Sequence, residues 1–122
     1  MGSRKDVAIS FLNNAASGKL DEAYDRVSPN FRHHNPHFKG DAESLKAGMS
    51  EAHQQFPNTV FEVQQTVAEG DLVAVHSRVR HAPDRPDIAV VHIFRFEGDS
   101  IAELWDVGIE VPKDSPNENG AF

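Results

Sequence analysis

Between residues 59 and 110 the apolar residues fall in strand-length runs, the first two alternating with a period of two, and this constrains the fold more than any other feature. Period two places successive side chains on opposite faces of a strand, and no helix can reproduce it. TVFEVQQTVAEG sets Phe61 and Val63 against Val60 and Glu62, with Val67 further along. Gly70-Asp71 marks a tight turn. LVAVHSRVRH then carries Val73, Val75, Ser77 and Val79 on one face, with Leu72, Ala74, His76, Arg78 and Arg80 on the other. APDRPD reads as a loop, because its two prolines cannot serve in a central strand. IAVVHIFRFEG is apolar on both faces, which predicts a strand covered on both sides. After a turn at Gly98-Asp99-Ser100, IAELWDVGIEV is the last of four strands in a meander.

The first half has the other period. Val7, Ala8, Phe11, Leu12, Ala15 and Ala16 recur at spacings of three and four, which predicts one amphipathic helix ending at Ser17-Gly18. Leu20, Ala23, Tyr24 and Val27 mark a second, short helix stopped by Ser28-Pro29-Asn30. Phe31 begins an extended segment that ends at Asn35-Pro36. Asp41 is a good N-cap for a third helix whose stripe is Leu45, Met49, Ala52, His53 and Phe56. Helices followed by a strand meander make an α+β domain. A long antiparallel sheet curls, and helices that close its concave side leave a cone with an apolar pocket. At 122 residues, 39% of them hydrophobic, the chain makes one domain spanning 1–122, with 1–3 and about 113–122 as flexible or extended tails.

Charge and composition remove several function classes. There is no cysteine, so disulfides, thiolate catalysis and thiolate metal sites are excluded. The 12 basic and 19 acidic residues give a net charge of -7 with no basic stripe, which argues against nucleic acid as a partner. No apolar run approaches a membrane span, and MGSRKDVAIS lacks the long apolar centre of a secretory signal, so a cytoplasmic protein is expected. No serine sits in a nucleophile elbow, and no glycine-rich phosphate loop is present.

With these elements in order, three stretches resemble the SnoaL-like branch of the nuclear transport factor 2-like superfamily, which holds polyketide cyclases and predicted aldol-condensation enzymes. They are FRHHNPH after the second helix, the hairpin AVVHIFRFEGDSIAELWDV, and the tail VPKDSPNENGAF. The resemblance implies a cone-shaped fold, with three N-terminal helices packed on a curved, mostly antiparallel sheet. It implies a cofactor-free acid–base enzyme, a cyclase, aldol-type lyase or isomerase, acting on a small apolar carbonyl compound. The family pattern carries an Asp acid/base before Ile-Phe-Arg, where this chain has His92, and often a His before Trp-Asp, where it has Leu104.

His92 therefore has two readings. It is an inert core histidine, or it is a base kept neutral by an apolar cavity. His34 and Asn35 are expected near the pocket mouth, His34 as a donor to a developing enolate and Asn35 as an amide for the substrate carbonyl. The local alternative for Asn35 is a turn former that satisfies its own backbone. His33, one residue earlier in the strand, is expected at the surface. Asp106 is a candidate to orient an imidazole, with Trp105 or Asp106, but not both, on the pocket side. His81 is placed at the pocket rim, Phe94 among ligand contacts, His76 outside the pocket, and His53 on a helix face without chemistry. A metal is not expected at HHNPH. His33 and His34 diverge along a strand, His37 lies past a turn, and no second cluster completes a tetrahedral shell. The remaining alternative is a module that only binds a small ligand or works through its dimer surface. Ala89, Val91 and Ile93 face away from His92, and such an exposed apolar row predicts a homodimer through the convex side.

Overall fold

The computed structural model describes residues 3–122; most of the expected N-terminal tail, 1–3, lies outside them. Ser3 caps the first helix: its hydroxyl accepts from the Asp6 amide and its own amide donates to the Asp6 carboxylate, a reciprocal capping box. Helices α1 (Arg4–Ala16), α2 (Leu20–Ala23) and α3 (Ala42–Gln55) pack on one face of a five-stranded sheet. The strands are β1 (Val27–His33), β2 (Val60–Glu69), β3 (Leu72–Arg80), β4 (Ile88–Glu97) and β5 (Ser100–Glu110), in the order β1-β5-β4-β3-β2. Only β1 runs parallel to its neighbour. The architecture is the expected α+β arrangement of three helices on an open, mostly antiparallel sheet.

Two of the three hairpins turn on two residues, Gly70-Asp71 and Gly98-Asp99. In each the glycine comes first with φ of +59°, a conformation other residues rarely adopt. Register slips at Gln64 and at Ala102 are bulges, and bulges bend and twist a sheet. The expected alternation holds through β3, where Val73, Val75, Ser77 and Val79 are all buried. Val73 and Val75, with Phe94 and Phe96 of β4 and Ile101 and Leu104 of β5, meet Phe11, Leu12 and Leu45 from the helices. Phe94 has no exposed surface and meets Phe11 edge-on at 5.7 Å. Truncating it to Ala costs about 3–5 kcal/mol on general grounds.

One element differs from the sequence reading. Ser28-Pro29-Asn30 does end the helical segment, but these residues already belong to β1. β1 is an edge strand, so the missing amide of Pro29 costs no central ladder bond. Its register to β5 slips between Val27 and Arg32, and resumes with Arg32 opposite Glu103 and His33 opposite Leu104. Past the slip, Phe31 and His33, two residues apart, both face inward. Among the described residues no helix is long and apolar enough to cross a membrane.

Candidate functional site

Pairing fixes which side chains share the concave face. His92 lies opposite Asp106 in the β4–β5 ladder and opposite Val75 in the β3–β4 ladder. Directly opposed residues point the same way. Beyond the close-packed end of the cone, the helices and sheet separate around a cavity of about 320 Å3. Its wall is mostly apolar, from Leu12 and Met49 on the helices to Phe61, Val79 and Val90 on the sheet. The polar atoms come from His92, Asp106, Asn35, His53, His81 and Thr59.

His92 is half-buried on the cavity wall, with the Phe61 and Phe94 rings each 6.4 Å from its own. Its Nδ1 is buried and finds no hydrogen-bond partner. Burial pulls the imidazole down to about 4, and the neighbouring Asp106 carboxylate raises it only in part. His92 is therefore neutral at physiological pH. Asp106 is held in turn by Asn35, whose Nδ2 donates to Asp106 Oδ2 at 2.9 Å. The Asn35 carbonyl accepts from the His37 amide at 2.9 Å, closing an Asx turn over Pro36. The turn reading of Asn35 describes its oxygen; its nitrogen fixes the carboxylate beside His92.

His81 reaches the rim, as the sequence suggested. Its ring stacks on Phe56 at 5.1 Å, and its Nδ1 lies 3.4 Å from Thr59 Oγ1. Burial first, and then the Arg85 charge, lower its pKa. Arg85 itself lies over the Phe56 ring at 4.9 Å. His76 lies outside the cavity, beside Gln65 at 3.2 Å.

Four placements correct the sequence reading. His34 is not at the pocket mouth. It lies on the convex side, stacked on Trp105 at 5.0 Å with 7° between the rings, and its Nε2 is 2.5 Å from Glu103 Oε2. Trp105 is consequently not a pocket wall; Asp106 takes the concave side and Trp105 the other, as a flat strand requires. His33 is buried rather than at the surface. Its Nε2 lies 2.6 Å from the Lys39 carbonyl and its Nδ1 accepts from the Asn35 amide at 3.1 Å. Period two counted from the buried Phe31 sends His33 inward and His34 outward. Phe94 packs beneath the cavity with the core and does not line it.

His53 was missed. It lines the cavity from α3, and its Nδ1 too is buried without a partner. The signal was present: His53 stands four residues after Met49 on the apolar stripe of α3. Among the described residues no three His, Cys, Asp or Glu side chains converge as a metal shell does.

Comparison with known proteins agrees with this architecture. The SnoaL-like domain family matches residues 8–104. None of the curated proteins is similar enough to match. Among solved structures, AclR, a candidate hydroxylase from Streptomyces galilaeus, superimposes with a TM-score of 0.75 at 21% identity, over 87% of this chain and 88% of its own. IdmH, a candidate polyketide cyclase from Streptomyces antibioticus, gives 0.69 at 23% identity, over 88% and 92%. An NTF2-like protein of unknown function from Cytophaga hutchinsonii gives 0.73 at 16% identity, over 89% and 92%. At these identities the likeness is one of fold.

Proposed function

The chain belongs to the SnoaL-like domain family, and within it we propose an acid–base enzyme that needs no group beyond its own side chains and acts on a small, apolar carbonyl compound held in the cavity. The observation that carries this reading is His92, a neutral, unpartnered imidazole facing an apolar cavity beside a fixed carboxylate. A neutral imidazole can accept a proton from the carbon next to a carbonyl. The C–H electron pair then becomes the enolate, and the proton rests on His92. Asp106, 2.9 Å from Asn35 and opposite His92, stabilises the imidazolium as it forms. The enolate carbon either takes a proton back at another position, as an isomerase does, or attacks a second carbonyl, as a cyclase or aldol-type enzyme does. Asn35 acts through Asp106 and is a positioning residue. His81 reaches the reacting compound from the rim.

One observation favours a second reading, a non-catalytic binding cavity. A pKa near 4 makes His92 a weaker base than the near-neutral value best suited to proton transfer at pH 7. Exchange of the α-protons of 2-tetralone for deuterium, followed by NMR in D2O, separates the two. Acid–base chemistry predicts that the protein accelerates exchange, that His92→Gln loses roughly 100-fold or more, and that His92→Asp retains more than His92→Gln. Equal rates for all three proteins mean that His92 only packs.

A homodimer through the convex face belongs to the same proposal. The sheet leaves Val67, Val107 and Ile109 on that side 63%, 68% and 67% exposed, next to the Ala89, Val91 and Ile93 row. Light scattering at micromolar concentration should give twice the chain mass.

A further inference from the structure

α3 brings His53 to the cavity from the side opposite the sheet, together with Met49 and Ala52. One edge of its ring lies against the backbone of Gly18. A Cβ built there would stand 2.4 Å from both Cδ2 and Nε2. Gly18, at a φ of +77°, is thus required twice, by its backbone and by the ring. The contact fixes the imidazole plane, and Nδ1, away from that edge, is left buried without a partner. His92 Nδ1, on the sheet side, is in the same condition. Buried polar atoms are nearly always paired, and one left empty opposes folding. Both rings line one apolar cavity, each with a nitrogen unpaired among the described residues, so a ligand there meets an imidazole on either side.

Charge and size narrow the ligand. Among the described residues Asp106 is the one formally charged group on the cavity wall, and no lysine or arginine lines it. A carboxylate or phosphate would meet that like charge with no cation to offset it. A volume of about 320 Å3 is at the small end for ligand sites, room for a molecule of one or two rings.

We propose that the cavity takes a compact, uncharged ligand with hydrogen-bonding groups at two separated points, one met by His92 beside Asp106 and the other by His53, which makes His53 a specificity-determining residue. The proposal rests on the cavity being the ligand site and not on His92 being a base.

Calorimetric titration with four two-ring probes tests it: 1-naphthol, 1,5-dihydroxynaphthalene, 2,6-dihydroxynaphthalene and 5-hydroxy-1-naphthoate. The better of the two diols should bind about tenfold tighter than 1-naphthol, the worth of one hydrogen bond. The naphthoate should bind at least tenfold more weakly than 1-naphthol. His53→Phe keeps a ring against Gly18 but has no nitrogen, and should remove the diol advantage while leaving 1-naphthol affinity unchanged. His53→Gln should restore part of it. Should the Phe variant fail to fold, the probe comparison on the unaltered protein decides alone. Failure of all four probes to bind, equal affinity for diols and 1-naphthol, preference for the naphthoate, or a diol advantage that survives His53→Phe would each overturn the proposal. None of these readouts involves turnover. A result against His53 leaves the acid–base reading of His92 open to its own test, and the reverse holds.

Discussion

The β4–β5 hairpin carries a polar cluster on each face, and the two obey opposite rules. On the convex face Glu103 is 4% exposed and fully engaged. It takes Arg32 Nε at 3.0 Å, Arg95 Nε at 3.0 Å and His34 Nε2 at 2.5 Å. The His34 bond, ahead of those from Arg32 and Arg95, holds its carboxyl at about 2, against the burial that opposes it. On the concave face, three residues along β5, Asp106 stands opposite a histidine whose Nδ1 has no partner at all. The first cluster leaves nothing for a ligand to do. The second gives up stability and keeps hydrogen-bonding capacity free, which is the usual mark of a site.

Acid should produce the largest difference between the clusters. The folded protein holds His92 near 4, while the unfolded chain holds it near the ordinary 6.5. Between these values the unfolded state binds the extra proton, so stability falls as pH falls through that window. Wild type should lose about 3 kcal/mol more than His92→Gln between pH 7 and pH 4, measured by urea unfolding. The Glu103 contribution is present above about 4.5 and lost toward 2; both proteins share it, so it cancels from the difference.

Removing the charge of the saturated cluster comes next. Glu103→Gln leaves Arg32 and Arg95 without their carboxylate and should cost about 2 kcal/mol at pH 7, less than a fully buried pair because Arg32 is largely exposed. Exchange of 2-tetralone should be unaffected. A parallel fall in exchange would show that the two faces are coupled and would break the comparison.

Asn35→Asp sharpens it most finely. The new carboxylate can still accept from the His37 amide, so the turn survives, but it replaces the donor to Asp106 with a like charge. kcat should fall about tenfold, or about 1.4 kcal/mol, with KM nearly constant, since Asn35 acts through Asp106.

Much of this fold was legible in the sequence because burial imposes a period. Alternation in β3, the double-faced apolar run of β4 and the two glycine turns each have one physical solution. The same parity placed His92 on the concave side with Val90 and Phe94. In β1 the same parity, counted from the buried Phe31, sends His33 inward and His34 outward, against the reading that set His34 at the pocket mouth. Trp105 fell with them: once Asp106 faces His92, parity alone sends the indole outward. His53 was written in its stripe and passed over, because a histidine among Leu45, Met49 and Ala52 resembles ordinary helix packing until the cavity beside it is seen.

The central claim is that His92 stays neutral and unpartnered while it faces the cavity. An NMR titration of the His92 ring in the ligand-free protein tests this directly. The account predicts a midpoint near 4, with a neutral ring throughout the physiological range. A midpoint at the ordinary 6.5 or above would contradict it, since that ring would have found water or a partner carboxylate, and the cavity would not be the poised site described here.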